Sequence, residues 1–209
     1  MNKLFVIALI VISSSLSAQN QVAKDILDEL SARTRSYKNM TISFDFIVKN
    51  ISQNINETQK GTLTLEGDKF RLEMEGQIII NDGKSQWVYL TDINELQIMD
   101  YDPEDDMISP NKLFTSYEKG YKYTYVGAES DGKSRLHIID LFPEESGTFM
   151  KITLEVDATK KQLNTIKIFD KNGGTYAYKV NIFTTNSSNL TPFTFNLSDY
   201  PAVEVIDLR

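Results

Sequence analysis

From Thr41 onward the apolar residues of this chain fall on every second position, and the period of two persists through most of the remaining sequence. Ile42, Phe44, Phe46 and Val48 alternate with Thr41, Ser43 and Asp45. Leu63 and Leu65 alternate with Thr62, Thr64 and Glu66, and Phe70, Leu72 and Met74 with Arg71, Glu73 and Glu75. Successive side chains of a strand point to opposite faces, so each run describes a strand with one apolar and one wet face. Turn-forming residues separate the runs: Gly67-Asp68, Asn81-Asp82-Gly83 and Asn172-Gly173-Gly174. Further strands are predicted over 85–90, 95–99, 121–127, 135–141, 150–157, 163–170 and 175–184. Tight turns close antiparallel pairs while parallel pairs require long crossovers, so about ten or eleven strands joined this way form a curved antiparallel sheet.

One segment keeps a helical period. Val22, Ile26, Leu27 and Leu30 recur at three- and four-residue spacing between Gln21 and Tyr37, a narrow apolar stripe with charged residues around it. A sheet of this width has to curl, and a single helix covers only part of its concave face. The uncovered part is either the sealed interior of a closed barrel or an apolar concavity suited to a hydrophobic ligand. Two long connections, over 100–120 and 186–199, have the length of functional covers, and the first contains a segment from Pro110 to Tyr117 with helical potential.

The beginning of the chain is built differently. Lys3, the unbroken apolar run Leu4 to Ile12, and a serine-rich stretch ending at Ala18 form the pattern of a cleaved export signal. The run is about half a bilayer span, so residues 1–18 are expected to be removed and 19–209 to form one soluble domain in the periplasm. The formal net charge is −7, and loss of Lys3 makes the remainder one unit more acidic. That balance excludes nucleic acid as a partner, because phosphates are met by clustered Lys and Arg. With no cysteine anywhere, stability comes from burial and not from disulfides.

Catalytic chemistry is sparse. The single histidine, His137, lies between Leu136 and Ile138 as an ordinary strand residue. No Gly-x-Ser-x-Gly elbow occurs. Gly83-Lys84-Ser85 lacks the upstream glycine of a phosphate loop, since Ile78 holds that place. The acidic run Asp100, Asp102, Glu104, Asp105, Asp106 lacks the glycine and the final glutamate of a calcium loop, having Asp105 and Asn111 there. No cofactor or metal site is expected, and binding is favoured over an enzyme acting on a lipid-like substrate.

Asn81-Asp82-Gly83-Lys84-Ser85-Gln86-Trp87-Val88-Tyr89 resembles the hairpin of LolA-type periplasmic lipoprotein carriers. The order of other features matches too: a helix over 23–37 followed by Phe44 and Phe46, Gly61-Thr62-Leu63 opening a hairpin that ends in Phe70-Arg71-Leu72, Pro110 with Leu113 and Phe114, and the tail Phe193-Thr194-Phe195-Asn196 leading to Pro201 and Val205. The resemblance implies an open half-barrel under a helical lid. It also implies a monomeric carrier that takes the acyl chains of lipidated proteins from an inner-membrane ABC transporter to an outer-membrane acceptor. Carriers of this type latch the lid with an arginine near the second hairpin; here Lys69 and Arg71 occupy that neighbourhood.

On that reading the expected lipid-binding residues are Phe44, Phe46, Leu63, Leu65, Phe70, Leu72, Met74, Trp87, Tyr89, Leu96 and Ile98, and the expected lid residues are Ile26, Leu27, Leu30, Leu113 and Phe114. By residue type alone the same side chains would equally make a sealed core. Tyr121, Tyr123 and Tyr125 form an aromatic row that suits rim, core or partner surface alike.

Overall fold

In a computed structural model, which describes residues 2–102, 120–130, 132, 134–145, 147 and 149–209 with side chains from Gln19 on, the alternating runs join one twelve-stranded sheet. The elements are α1 (Asn2–Arg35), β1 (Met40–Asn50), β2 (Ile55–Glu66), β3 (Lys69–Met74), β4 (Gln77–Asn81), β5 (Ser85–Leu90), β6 (Glu95–Asp100), β7 (Tyr121–Ser130), β8 (Arg135–Pro143), β9 (Phe149–Asp157), β10 (Gln162–Asp170), β11 (Gly174–Thr185) and β12 (Glu204–Asp207), with a 3-10 turn at Leu197–Asp199 before β12. The spatial order is β12-β6-β5-β4-β3-β2-β1-β11-β10-β9-β8-β7. Two antiparallel meanders, β1 to β6 and β7 to β11, are therefore fused where β1 pairs with β11. Strands β7 and β12 end the order without meeting, so the sheet is an open, curved half-barrel.

Two strands depart from the expected pattern. β4 reads Gln-Ile-Ile-Ile-Asn, apolar at three consecutive positions, so period alone does not mark it as a two-faced strand. The two-residue turn Glu75-Gly76, with Gly76 at a φ of +82°, sets Met74 opposite Gln77 and fixes its register. β12 pairs with β6 in parallel, Val205 opposite Leu96, because the chain reaches it by crossing the sheet and not through a hairpin. The antiparallel expectation therefore fails at this one edge.

Cross-strand partners share a face, which divides the core in two. On the inner face, Met40, Ile42, Phe44, Leu63, Leu65, Phe70 and Leu72 join Ile139, Leu141, Ile152, Leu154, Val156, Leu163, Ile166 and Ile168, and α1 adds Ala23, Leu27 and Leu30. On the outer face, Tyr89, Leu96 and Ile98 form a smaller core with Ile78 and Trp87, covered by Phe195, Tyr200 and Val203 of the tail.

The helix packs chiefly on β7 and β10. Its buried stripe is Ala23, Leu27, Leu30, Ser31 and Thr34, with Ile26 at the margin. Val22, expected on that stripe, is 42% exposed, because Ala23 occupies the contacting position. Each buried leucine is worth roughly 1.5–3 kcal/mol, so a contact this narrow holds the helix without burying it deeply. Among the described residues, no helix is long and apolar enough to cross a membrane.

Candidate functional site

The inner face changes character along the strands. Met40, Leu65 and Phe70 lie side by side across β1, β2 and β3 and are all closed off from solvent. The next row, Ile42, Leu63 and Leu72, is also buried. One row further, Phe44 is buried but Met74 is partly exposed. Beyond it, Phe46 with its β11 partner Tyr178, and Val48 with its partner Tyr176, are all partly exposed. The inner face thus opens toward one end on β3, β1 and β11, giving a closed row at one end and an aromatic mouth at the other, with Gln59 and Glu57 of β2 set beside the rings.

Local geometry builds that mouth. The β1–β11 register shifts between Ser43 and Phe44, a bulge that re-aims the side chains after it. Phe44 lies over Gly61, where a Cβ would stand 2.4 Å from its ring, so only glycine admits the ring at this height. Tyr178 meets Phe44 edge-on at 5.6 Å and Phe46 at 4.9 Å, while Phe46 stacks on Tyr176 at 6.4 Å and 8°. Burial raises the pKa of Tyr178, so its hydroxyl stays protonated and able to donate. On the opposite side of the sheet, a pocket of 470 Å³ lies at the bulge, lined mainly from the outer face by Ser43, Lys60, Thr62, Glu73 and Ile182, so it is separate from the inner-face mouth.

The expected lipid-binding set is not brought together as one surface. Phe44, Phe46, Leu63, Leu65, Phe70, Leu72 and Met74 share the inner face. Trp87, Tyr89, Leu96 and Ile98 point the other way: Trp87 opposes Ile80, Ile80 opposes Arg71, and Arg71 opposes Thr64, the alternate neighbour of Leu63 and Leu65. The uniform isoleucine run of β4 hides this change of parity. Tyr176 and Tyr178 are not among the expected residues, although the alternation Tyr176, Tyr178, Val180 on β11 carries the same signal as β1. Tyr121, Tyr123 and Tyr125 pack against the inner core, on the strand the helix covers. His137 accepts or donates at Nδ1 to the Tyr125 hydroxyl at 3.0 Å; burial lowers its pKa, and Arg135 adds to the effect.

Ile26, Leu27 and Leu30, expected as lid residues, pack from α1 against the inner-face core; Leu113 and Phe114 fall outside the described residues. The candidate latch residues do not reach the helix. Lys69 and Arg71 are on the outer face, where Arg71 donates from Nε to Glu73 at 2.5 Å and from Nη1 to the Pro192 carbonyl at 3.4 Å. The helix is held instead by an ion pair between Glu29 and Lys161, and by the Tyr37 hydroxyl, which accepts from Arg33 Nε at 2.8 Å and from Gln162 Nε2 at 3.2 Å. Just past it, Asn39 exchanges two hydrogen bonds with Ser187, tying the start of β1 to the start of the tail.

An open curved sheet with an apolar inner face, closed at one end and crossed by α1, defines a half-barrel fold. Residues 35–198 match the family model described as outer membrane lipoprotein carrier protein LolA, and the chain belongs to that family. The outer-membrane lipoprotein carrier protein of Legionella pneumophila (strain Corby) is 23% identical over 171 residues, 80% of this chain and 75% of that protein. An uncharacterized conserved protein from Thermus thermophilus shares the fold with a TM-score of 0.56 at 15% identity, covering 89% of this chain and 99% of that one. A DUF1329 family protein from Desulfovibrio piger ATCC 29098 does so with a TM-score of 0.50 at 9% identity, over 87% and 99% of the two chains.

Proposed function

We propose that this protein is a periplasmic carrier whose inner face holds the acyl chains of lipoproteins in transit from the inner to the outer membrane. The observation that carries the reading is the graded burial of the inner face, from the closed row Met40, Leu65, Phe70 to the open row Phe46, Tyr178. A chain entering at the mouth passes between the rings of β1 and β11 and the polar Gln59 and Glu57 of β2, then meets only apolar side chains in the rows beyond. Membership of the LolA family and the naming of its Legionella relative as a lipoprotein carrier supply the cargo class. An inner-membrane lipoprotein-releasing ABC transporter is the donor that such a cargo requires, with the carrier acting as a monomer.

The energetics suit transfer. Each buried methylene is worth about 0.8 kcal/mol, so a palmitoyl chain wholly enclosed contributes on the order of 10 kcal/mol. A carrier that enclosed every chain of a lipoprotein anchor would release it too slowly to be useful. A helix held by a narrow apolar stripe, the exposed Glu29–Lys161 ion pair and the Tyr37–Gln162 hydrogen bond is easily displaced, since exposed polar contacts of this kind are each worth little. Adaptable side chains such as Met74 at the mouth accept chains without a tight fit.

The test is release of lipoproteins from spheroplasts by the purified protein. Wild type brings lipid-anchored proteins into the soluble fraction as stoichiometric complexes. Phe46→Glu remains folded but releases none, because a carboxylate then stands on the apolar wall. Release by wild type of other amphiphiles without lipoproteins contradicts the cargo, and unchanged release by a folded Phe46→Glu protein contradicts the surface.

A further inference from the structure

We infer that Asn39 and Asn186 form a clasp that fixes the foot of α1, so that the helix lifts from the inner face as a lever about Tyr37 and admits cargo from the mouth side. The inference rests on the acyl-chain reading and adds two positioning residues to it, both acting through the helix.

The backbone hydrogen bonds change direction at one residue. Up to Tyr37 they stay within the helix: Ser36 N donates to the Ala32 and Arg33 carbonyls, and Tyr37 N to the Thr34 carbonyl. From Lys38 on they turn to the sheet and the tail. Lys38 N donates to Asn186 Oδ1 at 2.8 Å, and Asn186 N donates to the Asn39 carbonyl at 3.0 Å. The Asn39 side chain closes the clasp, its Nδ2 donating to the Ser187 carbonyl at 3.1 Å and its Oδ1 accepting from Ser187 N at 2.8 Å. Asn39 is buried and spends both ends of its amide here, so losing it strands buried partners. Asn186 holds a φ of +55°, a left-handed conformation that asparagine tolerates better than most residues. Tyr37 straddles the boundary: its ring lies 6.0 Å from that of Phe183 on β11, and its hydroxyl is shared between Arg33 of the helix and Gln162 of β10.

The course of the helix turns this clasp into a pivot. The foot lies beside Met40, at the closed end of the inner face. From there the helix passes the β9–β10 turn, where Glu29 pairs with Lys161, and reaches β7, where Lys24 is close enough to Tyr123 for the two to interact electrostatically. Antiparallel order sets the start of β7, with Tyr121 and Tyr123, at the mouth end. The end tied by the clasp is therefore the closed end, and lifting the helix uncovers the groove from the mouth. At about 1.5 Å of rise per residue, Val22 stands about 22 Å from Tyr37 and Ala32 about 8 Å.

Because the chain has no cysteine, nitroxide labels attach only where cysteines are introduced. Val22→Cys or Ala32→Cys, at exposed positions of α1, is combined with Lys179→Cys, at an exposed position of β11. The label separations are measured by double electron–electron resonance with and without a synthetic dipalmitoylated lipopeptide. On binding, the label at 22 is expected to move about three times as far as the label at 32, the ratio of their distances from the pivot. Equal displacement of the two, or none on binding, overturns the lever. Asn39→Ala, or Asn186→Gly with its left-handed backbone kept, frees the foot, so the 32–179 separation broadens before any lipopeptide is added. A separation as narrow as in the parent protein, with only the melting temperature lowered, leaves the asparagines a merely structural role and overturns the clasp. A lipopeptide that does not bind the parent protein contradicts the acyl-chain reading, while the 32–179 separation in the asparagine variants still decides the clasp.

Discussion

The depth of the mouth depends on a residue without a side chain. Gly61 leaves room for the Phe44 ring, which is 2% exposed and has Tyr178 against its edge. Its φ is ordinary, so alanine there is conformationally acceptable and the cost of Gly61→Ala comes only from the clash. Displacing a ring in a closed layer is expected to cost about 1–3 kcal/mol. Denaturant unfolding measures it, and a variant as stable as wild type contradicts the close approach. Other single residues have narrower roles. Asn81 and Ser31 are wholly buried, and among the described residues Asn81 Nδ2 and Ser31 Oγ have no hydrogen-bond partner. An unpaired buried donor costs about 1–3 kcal/mol. Ser31→Ala removes one such group from the contact between helix and sheet, so it is expected to raise the melting temperature and to slow cargo uptake by favouring the seated helix. A lower melting temperature runs against that account.

At the scale of elements, one turn links strand chemistry to the position of the helix. The carboxylate of Asp157, at the end of β9, accepts from the backbone N–H of Thr159 at 2.9 Å and of Lys160 at 2.8 Å. The turn so formed places Lys161, at a φ of +54°, against Glu29 of α1. Burial pushes the Asp157 pKa up, but hydrogen bonds from Lys160, Ser134 and Thr159 outweigh it and hold the carboxyl below its ordinary value of 3.8. A depressed folded pKa contributes stability that is fully present above 3.8 and lost as pH falls through the lower folded value. Asp157→Asn keeps an acceptor without the charge. The stability difference between wild type and this variant is therefore expected to be constant near neutrality and to vanish in acid, as followed by circular dichroism. A difference independent of pH contradicts the argument.

Elements also differ in how much of them is legible in sequence. The alternation in β1, β2 and β3 defines both their existence and their buried faces correctly, because each has one apolar parity. In β4 three isoleucines in succession satisfy either parity, so the expected side is reversed for everything after it, Trp87 to Ile98. Sequence period defines a face within a strand, while register across a turn defines which face of the sheet it is. The parallel pairing of β12 lies beyond local pattern altogether, since it depends on where a long connection returns. The tyrosines of the mouth do carry a readable signal on β11, but that strand is far in sequence from the hairpin motif and meets β1 only through a non-local pairing.

At the scale of the molecule, the two faces are covered differently. The tail leaves β11, is pinned at Asn39, crosses the outer face, and ends as β12 beside β6. Over Tyr89 it stacks Phe195 on Tyr200 at 4.3 Å, with Tyr200 meeting Tyr89 at 4.7 Å. Asn94 secures it further, accepting from the Tyr89 hydroxyl and donating to the Ala202 carbonyl. This outer core lies on β4, β5 and β6, beside the strands that carry the closed row of the inner face, and adds no side chain to that row. Tyr200→Ala is accordingly expected to cost about 2 kcal/mol of stability, below the roughly 3–5 kcal/mol of a fully buried aromatic ring because this one keeps some solvent contact. Lipoprotein binding by the fraction that remains folded is expected to be unchanged, and a proportionate loss of binding affinity contradicts the division of faces.

That division is tested most directly by photocrosslinking. Benzoylphenylalanine is placed at Met74, on the inner face beside the mouth, or at Lys179, exposed on the outer face opposite Asp45, and each protein is irradiated with spheroplasts. Crosslinks to lipid-anchored proteins through position 74 and not 179 are predicted. Crosslinks through 179 alone, or equally through both, contradict an acyl-chain site on the inner face.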